Sequence, residues 1–153
     1  MYAKIENGAV VQYPYSVKQL QKDHPNTSFP RKPSDALMAE WGVHPVVKVD
    51  RPQVDHTKNV TEGTPDLVEG VWVQVWDVTD ATAAEIADRT TREASNVRRT
   101  RDVLLGDTDW RVIKALESGT TLSADWEAYR ADLRDLTDQP GFPWSVNWPS
   151  EPV

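Results

Sequence analysis

The amino-acid sequence predicts an α+β chain: an N-terminal β-rich lobe with short helices, a long bridging helix, and a small C-terminal helical hairpin with an aromatic, proline-rich tail. Three stretches carry that prediction. In "LVEGVWVQVWDV" at 67–78, Glu69-Gly70 can turn and valine then alternates with larger residues at period two, as a strand does. Thr82 and Glu85 fit a capping box ahead of a proline-free run to Leu105, as a long helix requires. Trp126, Tyr129, Leu133 and Leu136 recur at helical spacing and form one apolar stripe. These signals place the lobe at 1–79, the bridging helix at 80–106 and the C-terminal module at 107–153.

The chain opens on a predicted hairpin, because Asn7-Gly8 tolerates the positive φ of a two-residue turn between β-prone runs. Ser16 and Gln19 fit a capping box for a short helix that Pro25 ends. Ser34 caps a second, with Leu37, Met38 and Trp41 inward and Gly42 as its stop. A strand is expected after Pro45 and a polar loop from Arg51 to Asn59. In the 67–78 stretch Val71, Val73 and Val75 take one face and Trp72, Gln74 and Trp76 the other. If the valines are buried, both tryptophans need a second cover: a helix, the C-terminal tail or a partner.

The long helix is expected to stop at Gly106, with Asp107 or Thr108 capping a further short helix that turns Trp110, Ile113 and Leu116 inward. It is poor in large apolar residues, and its few are too unevenly spaced for a coiled-coil seam. Arg98, Arg99 and Arg101 cluster on it, either as a docking surface for an acidic partner or as a solvated face answering the chain's own acids. Ser123 is the predicted cap of the final amphipathic helix, which Pro140 and Gly141 end.

Composition narrows the function. The chain has 153 residues, no cysteine and a formal net charge of −7, so thiol chemistry is excluded and nucleic-acid phosphates would be repelled. No basic region precedes an apolar run at the start, and no stretch approaches membrane-spanning length, so neither a secretory signal nor a membrane partner is expected. His24, His44 and His56 lack metal-ligand spacing, and Asp55-His56 is the nearest thing to an acid–base pair. No GxSxG, P-loop or GxGxxG occurs. The reading is of a non-enzymatic protein with no catalytic residue, metal or cofactor.

The tail, "QPGFPWSVNWPSEP", holds four prolines, two tryptophans and a phenylalanine where many chains taper into polar residues. Either it folds back on its own module or another molecule holds it. Trp110, Trp126, Tyr129, Leu133 and Phe142 are the expected structural core. Trp144, Trp148 and the Arg98, Arg99, Arg101 cluster are the expected partner contacts, since tryptophan and arginine commonly anchor interfaces.

Arg101, Leu104, Leu105, Thr108, Asp109 and Trp110, then Tyr129, Arg130, Leu133, Arg134 and Asp135, then Gly141, Phe142, Pro143, Trp148 and Pro149 form an ordered pattern over about a third of the chain. That pattern resembles the C-terminal module of the phage tail assembly chaperone family, also known as tail fibre assembly proteins. Many members carry a proline-bearing loop after the Thr-Asp-Trp triplet, where this chain has "RVIKALESGTT". The N-terminal lobe is similar to the variable front ends of such proteins, and no binding residue is carried over to it. The resemblance implies a protein that works in the host cytoplasm during phage assembly and binds a tail or tail-fibre protein, trimeric forms included, to aid its folding, oligomerisation or attachment. The alternative is a permanent virion component, a connector or hinge between fibre and baseplate.

Overall fold

Local turn chemistry and capping set most of the elements in the computed structural model, which describes residues 1–153. The chain is α+β and divides into two compact units, Met1–Ala81 and Thr82–Val153.

In the first unit, β1 (Tyr2–Glu6) and β2 (Ala9–Tyr15) form an antiparallel hairpin. Asn7 and Gly8 both take positive φ, 51° and 78°, as a twisted two-residue turn demands. Ser16 caps α1 (Val17–Asp23) by accepting from the Gln19 amide at 3.2 Å, while the Gln19 side chain donates to Asp23 instead of closing the capping box. Ser34 caps α2 (Asp35–Glu40) through the Leu37 amide. Gly42 then turns at φ 72°, with a Cβ there only 2.7 Å from the Ile5 carbonyl oxygen, so only glycine fits.

β3 (Val43–Val47) begins two residues before Pro45 and lies antiparallel to β1 and parallel to β6 (Val71–Val73). β5 (Asp66–Val68) turns into β6 through Glu69 and Gly70, both at positive φ. The sheet order is β2-β1-β3-β6-β5, and a separate antiparallel ribbon pairs β4 (Lys58–Glu62) with β7 (Trp76–Asp80). Tyr15, Leu20, Met38 and Val43 form the buried core, with Tyr2, Val17, Phe29 and Trp41 packed around it.

The expected continuous strand at 71–78 is broken at Gln74. Its amide donates to the Val47 carbonyl at 2.8 Å, and its side-chain oxygen accepts from the Val49 amide at 3.1 Å. Those bonds end β6 on the five-stranded sheet and release the chain into the ribbon. The valine face is therefore not core: Val71 is exposed, and the buried residue is Gln74. Trp72 and Trp76 are half-buried, and Trp76 finds its cover within this unit, donating its indole N–H to the Val49 carbonyl at 2.9 Å.

The second unit is built on α3 (Ala83–Glu117), whose N-terminus carries the full capping box of Thr82 and Glu85. At about 1.5 Å per residue its 35 residues extend for roughly 50 Å. The helix does not stop at Gly106. A glycine inside a helix costs only about 1 kcal/mol relative to alanine, and contacts on both sides of it outweigh that. A short loop leads to α4 (Ala124–Arg134), extended by a 3₁₀ turn at Asp135–Asp138. Trp126, Tyr129, Leu133 and Leu136 are all buried, with Leu104, Leu105 and Leu122 packed against the first three. No helix is long and apolar enough to cross a membrane.

Candidate functional site

The C-terminal half of α3, α4 and the tail form one site, and its centre is an arginine. Arg130 projects from α4 into the hairpin and is 8% exposed. One of its terminal nitrogens donates to the Leu105 carbonyl at 2.9 Å and to the Thr108 hydroxyl, and the other to the Asp109 carboxylate at 2.6 Å. Its Nε is buried without a partner. Neither Asp107 nor Thr108 is thus a helix cap, and Thr108 and Asp109 have another role. They sit inside α3 and receive a guanidinium from the neighbouring helix, which locks α4 in register. Asp109 is 60% exposed, so water screens the ion pair on that side.

Continuity through Gly106 decides where Trp110 points. Thr108 faces α4, and two residues along a helix is about 200° of rotation, so Trp110 turns away. It is 52% exposed, together with Val103, Ile113 and Leu116. Trp110 therefore does not belong to the core: the expected second helix would have turned it inward, and the straight helix turns it out. Trp126, which is buried, stacks edge-on against Tyr129 with ring centres 5.7 Å apart. Arg111 lies over both indoles, 4.7 Å from the Trp110 ring centre and 3.8 Å from that of Trp126. Burial pushes the Tyr129 phenol pKa up, helped by the charges of Glu151 and Asp107.

The tail is closed by its own polar groups. The Gln139 side chain accepts from the Asn147 amide at 2.8 Å and donates to the Asn147 carbonyl at 2.9 Å, clasping the intervening residues into a loop. Gly141 allows the return, since a Cβ there would stand 2.3 Å from the Ser145 carbonyl oxygen. Pro143 is buried and Phe142 half-buried, with the Arg98 guanidinium 5.2 Å from the Phe142 ring centre. Trp144 and Trp148 remain 42% and 39% exposed.

Of the arginine cluster, Arg98 and Arg99 are both exposed, Arg98 with its guanidinium near the Phe142 ring, and Arg101 pairs with the neighbouring Asp102 at 2.8 Å. Sequence reasoning passed over Arg130 and Gln139 as working residues. An arginine on a helix flank reads as solvated, and the partners of both lie at least eight residues away. The one usable signal was the ordered sequence pattern that contains Thr108, Asp109 and Arg130.

No group of three or more His, Cys, Asp or Glu side chains is placed to hold a metal ion. His24 packs against Trp41, with ring centres 4.5 Å apart. Asp55 accepts from the Thr57 hydroxyl and amide at 2.5 and 2.8 Å, and these bonds hold its carboxyl below the ordinary value. That describes a turn, with the carboxylate engaged by Thr57.

Residues 94–153 match the model of the phage tail assembly chaperone protein family. The match spans α3 from Ala94 onward, α4 and the tail, so the Arg130 clasp and the exposed tryptophans fall inside it. No curated protein and no solved structure matches the chain.

Proposed function

From that match we propose that the chain is a non-enzymatic phage tail assembly factor, acting in the host cytoplasm by binding a tail or tail-fibre protein while it folds, oligomerises or joins the particle. The observation that carries this reading is the display of Trp144 on a loop that its own hydrogen bonds hold shut, with Trp148 exposed one residue past the closure. Large apolar rings exposed on a prearranged frame suit binding, because little conformational entropy is lost on docking. Tryptophan and arginine are also the residues that most often dominate interface energy. The exposed Arg98 and Arg99, with Arg101 beside them, are the arginines assigned to the partner.

The test is affinity purification of the tagged full chain from infected cells, with quantitative mass spectrometry of both the eluate and purified mature particles. A tail or fibre protein should co-purify with the natural chain and be depleted with Trp148→Ala, while the melting temperature stays unchanged. Equal recovery by both chains would remove Trp148 from the contact, and no tail protein in either eluate would sink the reading. Presence in mature particles at fixed copy number would make the chain a permanent connector or hinge. Absence would make it a chaperone that lets go.

A further inference from the structure

A groove of about 200 Å³ opens where the end of α3 meets the start of α4, lined among others by Trp110, Arg111, Lys114, Leu122, Ser123 and Trp126. It is smaller than the roughly 300–1,000 Å³ of small-molecule sites, so it suits a side chain or two of a polypeptide. One wall is apolar. Trp110 is half exposed, and Ile113 and Leu116 continue the exposed apolar surface along the helix. The other feature is positive charge. Arg111 is fixed against both indoles, and the Lys114 ammonium lies 5.8 Å from the Trp110 ring centre.

Neither cation has a carboxylate partner within the chain. No acidic side chain lines the groove either, although Asp and Glu number 24 against 17 Lys and Arg. Two unanswered cations beside one exposed and one buried indole, in a chain rich enough in acid to neutralise them, complement a carboxylate supplied from outside. We propose that this groove binds an acidic segment of the partner protein, with Asp or Glu against Arg111 and Lys114 and an adjacent aliphatic side chain against Trp110. The net charge of −7 sets two copies of this chain against each other and repels nucleic acid, which leaves another protein as the occupant.

The inference rests on the reading of this module as partner-binding, and its test uses neither phage nor lysate. Short random peptides displayed on a surface are selected on the purified full chain, and the enriched sequences are synthesised. Their binding is measured by fluorescence anisotropy to the natural chain, Lys114→Glu and Lys114→Arg. Enriched peptides should carry Asp or Glu next to an aliphatic residue and lose affinity as salt rises. They should bind Lys114→Glu about tenfold more weakly or worse, and Lys114→Arg nearly normally, with unchanged melting of both variants.

No enrichment, enrichment without acidic residues, or equal binding to Lys114→Glu would overturn the proposal. So would a concentration-dependent dimer that Lys114→Glu abolishes, which would seat a second copy in the groove. If acidic peptides bind here but no tail protein is recovered from infected cells, the assembly reading fails and the groove stands. The reverse result separates the two the other way.

Discussion

The two units tie their surfaces to their cores with different polar groups. In Met1–Ala81 the ties are tyrosine hydroxyls donating to carboxylates: Tyr2 to Asp35 at 2.9 Å, Tyr15 to Asp23 at 2.5 Å, and Tyr13 to Glu62. In Thr82–Val153 they are guanidinium groups. Arg130 holds the α3–α4 hairpin, Arg98 covers Phe142, and Arg111 lies over Trp110 and Trp126. A tyrosine–carboxylate bond has a titratable group at each end, whereas a guanidinium stays charged throughout the working range. The comparison teaches that the first unit's ties can titrate at both ends, whereas the arginine ends of the second unit's ties stay charged.

The strongest way to break that picture is Trp126→Ala. Removing a buried tryptophan costs about 3–5 kcal/mol, so hydrogen exchange should accelerate across 82–153 while β1 and β2 keep their protection. Trp110→Ala, less than a turn away from Arg111 on the same helix, should shift stability by under about 1 kcal/mol because the ring is half exposed. Equal losses for the two would mean that Trp110 is core after all.

Arg130→Ala comes next. It deprives Thr108 and the Leu105 carbonyl of a charged donor, but leaves Asp109 largely in water, so roughly 1.5–3 kcal/mol is expected from urea unfolding. A midpoint indistinguishable from the natural chain would show the clasp to be ornamental.

Gly106→Ala sharpens the geometry of α3. A Cβ there meets nothing within 4 Å, so alanine should stabilise the second unit by about 0.5–1 kcal/mol in the same assay. A helix that ended at this glycine in a left-handed turn would respond with the opposite sign.

The smallest effect tests the pH response. Hydrogen bonds from Tyr15 and then Gln19 lower the Asp23 pKa. A lowered carboxyl pKa contributes stability present above the ordinary carboxylate range and lost as pH falls through the folded value. Burial, and then the Glu62 bond, push the Tyr13 phenol up to about 12. That contribution is present below the ordinary tyrosine value of about 10 and disappears as pH rises through the raised one. Thermal melting of the first unit should therefore be flat in between and fall at both ends. Tyr15→Phe should shrink the acid limb in particular, because Asp23 loses its main donor; a profile parallel to the natural chain at low pH would refute the assignment.

The lesson for reading the chain follows the range of each interaction. By itself the sequence determined what neighbouring residues decide: the Asn7-Gly8 turn, the Ser34 cap, the capping box of Thr82 and Glu85, and the buried stripe from Trp126 to Leu136. Each is settled within a few residues by φ preference, orphan amides or helical period. At the candidate site it also placed the family pattern and the aromatic tail.

Only the tertiary structure decided the direction of Trp110, the break at Gln74, the burial of Arg130 and the closure of the tail by Gln139. Arg130 meets its partners 21 to 25 residues away, and Gln74 bonds to Val49 across 25 residues. No local pattern encodes such pairs. Their geometry exists only after the helices and strands have packed, when a buried polar group must find a partner from whatever segment has come to lie beside it.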